Sequence, residues 1–235
     1  MTAEPYRARG GPGEDDLLWS VVLPVRPFGS AKQRLALHSG RHHAELAHAF
    51  YLDTLRAVRA TPGVGLVLVV TDDPLAARQA RTLGAATTPE GRRAGPDAAA
   101  LTGAAALTPD CPVAVLAADL PTLRPEELAE ALAAARRHRR ARVADHTGAG
   151  TTAVTALRAA DLVPSFGRAA ESREPVLAAG PGLRLDVDTP ADLARARVRG
   201  LGLFSAAVLD TWVRPSAARS RRRTEPDLPA LRARR

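Results

Sequence analysis

Three segments of this chain are apolar almost without interruption, and each stops at proline or polar residues: "LLWSVVLPV" (17–25), "VGLVLVVTDD" (64–73) and "VAVLAADLPTL" (113–123). A strand wetted on one face alternates apolar with polar residues. A strand lacking polar positions must be covered on both faces, the pattern of parallel sheets held between helices. Helical periodicity fills the gaps. Residues 41–60 set Leu46, Ala49, Phe50, Leu52, Leu55 and Val58 on one stripe. Residues 74–85 start at Pro74 and stop at Gly84, a short helix. An alanine-rich helix is predicted near 98–108, and residues 124–140 carry acids in the first turn and arginines in the last, as the helix dipole favours. Further on, 141–157 reads as strand, glycine turn and strand, 183–190 as a short strand, and Thr189–Pro190 as the cap of a last helix to about 199. The alternation predicts an α/β protein with a mostly parallel, three-layer sheet. Such sheets bind ligands beyond the carboxyl ends of their strands, where the polar clusters of this chain lie.

Length allows one such domain: 235 residues, divided into a flexible leader (1–16), the domain (17–205) and a basic C-terminal tail (206–235) expected to be disordered. The formal charge of +8 invites a nucleic-acid reading, but residues 214–235 hold eight arginines against Glu225 and Asp227, a net of +6, leaving about +2 for the rest. Basicity is mostly a property of the tail, so nucleic acid is not expected as the partner. Cys111 is the sole cysteine, which excludes an internal disulfide and a cysteine-caged metal. No apolar run approaches the roughly 18 residues of a membrane span, and a cytoplasmic protein is expected. A homodimer is left open.

Two clusters have the residue types of phosphate chemistry. In "RPFGSAKQRL" (26–35), Arg26, Lys32 and Arg34 surround Gly29 and Ser30, whose N–H groups can cradle a triphosphate. Lys32 is the only lysine among 33 basic residues, so a compact ammonium is retained where arginine is otherwise used throughout. The GxxxxGK[ST] spacing is missing, and a solvated basic loop explains the stretch equally well. Asp119 and Asp188 each follow an apolar segment and precede a proline. Mg²⁺ takes one or two such carboxylates together with substrate phosphates, yet helix caps and turns use the same Asp-Pro arrangement. "DHTGAGTT" (145–152) offers glycines for close backbone approach and hydroxyls beside them, or a plain hairpin turn. No HExxH or GxSxG pattern is present.

In order and approximate spacing, "VVLPVRPFGSAKQRLA", "VAVLAADLPTL", "DHTGAGTT", "PSFG" and "LRLDVDTPADL" resemble the phosphoenolpyruvate/2-phospho-L-lactate guanylyltransferases of deazaflavin coenzyme biosynthesis, over about residues 18–200. The resemblance implies a single Rossmann-like nucleotidyltransferase domain that uses GTP and Mg²⁺ and acts on a small phosphorylated carboxylic acid, releasing pyrophosphate. It implies Asp119 and Asp188 as the Mg²⁺ ligands and, with Lys32, the catalytic set. Arg26, Lys32, Arg34 and Asp97 would face the nucleotide, and Thr151, Gly167 and Ala170 the phospho-acid. The chain departs from the family at "GPDAAAL", where Asp97 and Ala98 replace Leu-Asn, and at "FGRAAESRE", where Ala170 and Glu174 replace Ser and His. A related nucleotidyl- or glycosyltransferase, or a catalytically degenerate nucleotide-binding paralogue, remains the alternative.

Overall fold

The strands form because their side chains have two hydrophobic layers to enter. The computed structural model describes residues 18–30, 42–91, 95–166 and 172–213. Its sheet comprises β1 (Trp19–Pro24), β2 (Val64–Val70), β3 (Ala86–Thr88), β4 (Val113–Leu116), β5 (Arg140–Ala144) and β6 (Thr151–Ala156) in the order β3-β2-β1-β4-β6-β5. β1 pairs parallel with β2 and with β4, setting Val22 beside both Leu68 and Val115, and β2 pairs parallel with β3. β6 runs antiparallel to β4 and to β5. The mostly parallel sheet is as predicted, while β3 is a strand that the sequence reading does not contain. Its three residues are all half-buried at the sheet edge, too short and too polar to register as an apolar run.

Successive residues of each strand serve opposite faces. Val21, Leu23, Val67 and Val69 enter a core with α1 (His43–Arg59), α2 (Pro74–Thr82) and α4 (Pro125–Ala135). Val22, Leu68, Val70, Val113 and Val115 enter a second core under α3 (Pro96–Ala105). Helix, sheet, helix is the resulting order of layers. α3 begins and ends a little earlier than the predicted 98–108 and lies unusually close to the sheet: a Cβ on Gly103 would overlap Val22 Cγ1 and come within 3.0 Å of Val70 Cγ2.

A third cluster positions the end of the chain. Leu46 and Phe50 of α1 pack with Leu185, Val187, with Ala196 of α6 (Pro190–Arg199) and with Leu209 of α7 (Leu203–Val213). The predicted strand at 183–190 is therefore corrected. Residues Pro181–Arg184 form a helical turn, α5, and the chain that follows joins no sheet. Its alternation is real, with Leu185 and Val187 buried and Asp186 and Asp188 half-exposed, but the apolar half packs on helices instead of on a strand. The tail read from the sequence begins at 206; α7 runs across that position. No described helix is long and apolar enough to cross a membrane.

Candidate active site

β1 has β2 on one side and β4 on the other, so the crossover connections leave β1 in opposite directions. That switch point opens a crevice beyond the strand ends. Here it is a cleft of about 550 Å³, lined by Pro24, Val25 and Arg26 after β1 and by Ala117, Ala118 and Asp119 after β4.

The Arg26 side is held by local structure. The Val25 N–H donates to Val70 O at 2.9 Å, and a 3₁₀ turn at Phe28–Ser30 follows. The Phe28 N–H donates to Asp73 Oδ2 at 3.3 Å, while Asp73 Oδ1 accepts from Leu75 and Ala76 N–H at 2.9 and 3.1 Å and caps α2. One aspartate thus joins the loop after β1 to the helix after β2. The Phe28 ring lies 4.9 Å from the His48 ring and 5.8 Å from the ring of Tyr51, which also faces the cleft. Burial, and secondarily Asp73, push the Tyr51 phenol well above its ordinary range, so it stays protonated and donates to Ala76 O at 3.0 Å.

Asp119 is fixed from both sides. The Leu120 N–H donates to the wholly buried Thr54 Oγ1 at 2.9 Å, and Thr54 in turn donates to Phe50 O at 2.8 Å. The Asp119 carbonyl accepts from Val187 N–H at 3.2 Å, and Pro121 O accepts from Gly202 N–H at 2.8 Å. The first of these contacts brings the 185–188 segment alongside the β4 end, so that Asp186 and Asp188 line the same cleft as Asp119.

The α6 cap holds Asp188 in place from the other direction. Asp192 Oδ2 accepts the Thr189 N–H at 2.9 Å and the Thr189 hydroxyl at 2.7 Å, and Asp192 N–H donates back to Thr189 Oγ1 at 3.2 Å. Asp192 Oδ1 meets Arg195 Nη1 at 3.1 Å and His146 Nε2 at 3.3 Å, tying the cap to the 145–150 loop. Burial would raise the Asp192 carboxyl; the Thr189 hydroxyl and N–H, the Asp188 N–H and His146 outweigh it and hold it below its ordinary value. A carboxyl depressed in the folded state stabilises above its unfolded pKa, about 4, and loses that contribution as pH falls through the lower folded value. Thermal melts of the Asp192→Asn variant are therefore expected to show a shallower acid limb below about pH 4 than the parent, and a Tm a few degrees lower near neutrality. An unchanged acid limb would remove Asp192 from the account.

The glycine turn behaves as a hairpin connection. Asp145 accepts the Thr147 N–H at 3.0 Å and the Thr147 hydroxyl at 2.8 Å, and Gly148 takes a φ of 81°. Of the "DHTGAGTT" stretch, Thr151 is the residue that lines the cleft; its hydroxyl accepts from Arg142 Nη1 at 3.5 Å.

Arg26, Asp119, Thr151 and Asp188 thus converge on one cleft, as read from the sequence. Asp97 does not line it: its Oδ1 accepts the N–H of Phe166 at 2.9 Å, and Phe166 does. Lys32, Arg34, Gly167 and Ala170 lie outside the described residues. Ser172 accepts the Glu174 N–H at 3.3 Å, and Glu174, at the family's His position, pairs with Arg140 at 2.9 Å. Two cleft residues that the sequence reading does not single out are Glu90 and Asp186. The period-two spacing of Asp186 from Asp188 was a usable signal; for Glu90 there was none.

A crevice at a sheet switch point, with carboxylates on the β4 side and an arginine after β1, suits a nucleotide ligand, and residues 28–181 match the MobA-like NTP transferase domain, which gives the class of the chain. The chain is 43% identical over 212 residues to the phosphoenolpyruvate guanylyltransferase of Geodermatophilus obscurus, covering 84% of this chain and 97% of that one. It is 42% identical over 206 residues to the protein of the same name from Streptomyces coelicolor, covering 81% and 95%. This chain belongs to the phosphoenolpyruvate guanylyltransferase family, within the MobA-like NTP transferases. Its fold is shared with a nucleotidyl transferase from Methanothermobacter (TM-score 0.55, 16% identity, 83% of this chain and 99% of that chain). It is shared too with 4-diphosphocytidyl-2C-methyl-D-erythritol synthase from Anaerococcus prevotii (TM-score 0.54, 12% identity, 78% and 96%).

Proposed function

We propose that this enzyme transfers GMP from GTP to phosphoenolpyruvate, releasing pyrophosphate, in the making of a deazaflavin coenzyme. The observation that carries the reading is the 39–43% identity, across most of the chain, to relatives bearing that enzyme's name. In the reaction a phosphate oxygen of phosphoenolpyruvate attacks the GTP α-phosphorus in line. A new P–O bond forms, the bond from the α-phosphorus to the bridging oxygen breaks, and pyrophosphate leaves with that electron pair.

Asp119, Asp186 and Asp188 are the proposed holders of Mg²⁺. Among the described residues no three His, Cys, Asp or Glu side chains already converge as a metal cage. Hard carboxylate oxygens distributed around one cleft suit an ion that draws the rest of its shell from phosphates and water. When bound, Mg²⁺ neutralises charge on the α-phosphate and on the departing pyrophosphate. In this reading Arg26, on the loop after β1, attracts the triphosphate, and the Thr151 hydroxyl orients the acceptor phosphate. Lys32 and Arg34 join the nucleotide side, and Gly167 and Ala170 the acceptor side, in this reading.

The test is pyrophosphate release from GTP, ATP, CTP and UTP, each with phosphoenolpyruvate or 2-phospho-L-lactate, with and without Mg²⁺. GTP with phosphoenolpyruvate and Mg²⁺ is expected to give the highest kcat/KM. Nucleotide binding without release under any pairing would show a degenerate enzyme, and a different preferred nucleotide would overturn the guanylyl assignment.

A further inference from the structure

We propose that Glu90 selects the base, its carboxylate accepting the N1–H and exocyclic amino hydrogens of guanine at the β3–α3 end of the cleft. The proposal rests on the guanylyl-transfer reading above. Glu90 lies two residues beyond β3, and its backbone is pinned at both ends: the N–H donates to Asp72 Oδ1 at 3.1 Å, and the carbonyl accepts the Thr102 hydroxyl at 3.1 Å. Its Oε1 accepts the Gly95 N–H at 3.2 Å, which orients the side chain in the cleft wall and leaves further acceptor capacity on the carboxylate. Among the described residues no cation pairs with it. A half-buried carboxylate oriented in this way, with acceptor capacity to spare, is suited to donors that a ligand brings.

Position in the sheet argues for the base and against the phosphates. β3 is three places from β4 in the sheet, and at about 4.8 Å per strand their ends lie roughly 14 Å apart. That is about the reach of a nucleotide from its base to its phosphates. The triphosphate belongs near Arg26 and the three aspartates; beside Glu90 it would meet like charge. The walls around Glu90 are instead apolar. Pro96, Ala99 and Phe166 line the cleft there, and Phe166 is drawn to the start of α3 by the Asp97 carboxylate. Gly95 has a φ of 115° and, among the described residues, nothing within 4 Å of where a Cβ would stand. Asp97 then acts on the nucleotide as a positioning residue, through Phe166.

The chemistry discriminates by donor pattern. Guanine presents two adjacent donors, which match a carboxylate fork. Adenine turns an acceptor, N1, toward the same group, and hypoxanthine lacks the amino donor. A site that satisfies such a group rejects the analogue without it.

The experiment measures kcat/KM for pyrophosphate release, and Kd by thermal shift with Mg²⁺, for GTP, inosine triphosphate and ATP on the full chain. Wild type is expected to prefer GTP over inosine triphosphate by roughly 10- to 100-fold. In Glu90→Gln the ratio is expected to collapse to within about threefold, with GTP losing far more than inosine triphosphate. Glu90→Asp, which keeps the charge and withdraws it by one methylene, gives an intermediate ratio and serves if the glutamine variant does not fold. A GTP-to-inosine ratio that stays at the wild-type value in the variants, or no such preference in wild type, overturns the proposal. If wild type binds GTP but releases no pyrophosphate, the transfer reading fails while the Kd ratios still decide the role of Glu90.

Discussion

Asp188→Asn is expected to lower pyrophosphate release by about 10³-fold and to leave the melting temperature within a few degrees of the parent. The exchange keeps the size of the side chain and removes its charge. The backbone at 188 is set by Val187, wholly buried against α1, and by the Thr189–Asp192 capping box, and neither needs the Asp188 carboxylate. The loss should appear mainly in kcat and should shift the Mg²⁺ requirement upward, since a missing carboxylate weakens the ion's hold more than the nucleotide's. Asp119→Asn and Asp186→Asn are expected to behave alike, because the three line one cleft. Near-parental turnover in all three variants, at limiting Mg²⁺, would remove the carboxylates from the chemistry. A large drop in melting temperature instead would show that Asp188 serves the fold.

Asp53→Ala is expected to do the opposite: to cost roughly 2–4 kcal/mol of stability and, through that, about 5–15 °C in Tm. Asp53 sits in α1, 8% exposed, yet its carboxylate accepts the Phe204 N–H at 3.0 Å, the Ser205 N–H at 2.8 Å and the Ser205 hydroxyl at 2.5 Å. These are orphan donors of the first turn of α7, satisfied by a residue about 150 positions earlier in the chain. Alanine would leave them buried without a partner and release α7 from α1, while Asp53→Asn, which retains acceptor oxygen, is expected to recover part of the loss. A melt unchanged in Asp53→Ala would mean that apolar packing by Leu209 alone docks the helix. The two variants together separate chemistry from architecture, since one silences the cleft and the other loosens the helices behind it.

The residues that were legible in the sequence share a physical reason. Val21 to Leu23, Val67 to Val70 and Val113 to Leu116 are buried on both faces, and an unbroken apolar run admits few other solutions. Asp119 was legible because a carboxylate directly after such a run stands at a strand's carboxyl end. Asp188 was singled out for its likeness to Asp119, and it does reach the same cleft, although the segment before it is no strand. Asp186 is not marked by a reading of "LRLDVDTP" as sheet, in which Asp188 alone stands at the strand's end.

Glu90 and Asp97 show the other side. Nothing in "TTPEG" or "GPDAAAL" distinguishes a cleft carboxylate from one that holds a loop; the Gly95 and Phe166 N–H groups decide it, and both lie across turns whose path depends on packing. The α/β class, the parallel strands, and a cleft at their ends lined by carboxylates were determined by the chain's own pattern of apolar runs and terminal aspartates, because burial on two faces is a local demand. Which carboxylates share the cleft, which one caps α7 from α1 and which one stands at its base end were decided only by tertiary structure. Those roles depend on hydrogen bonds between residues far apart in the chain, and no local pattern records them.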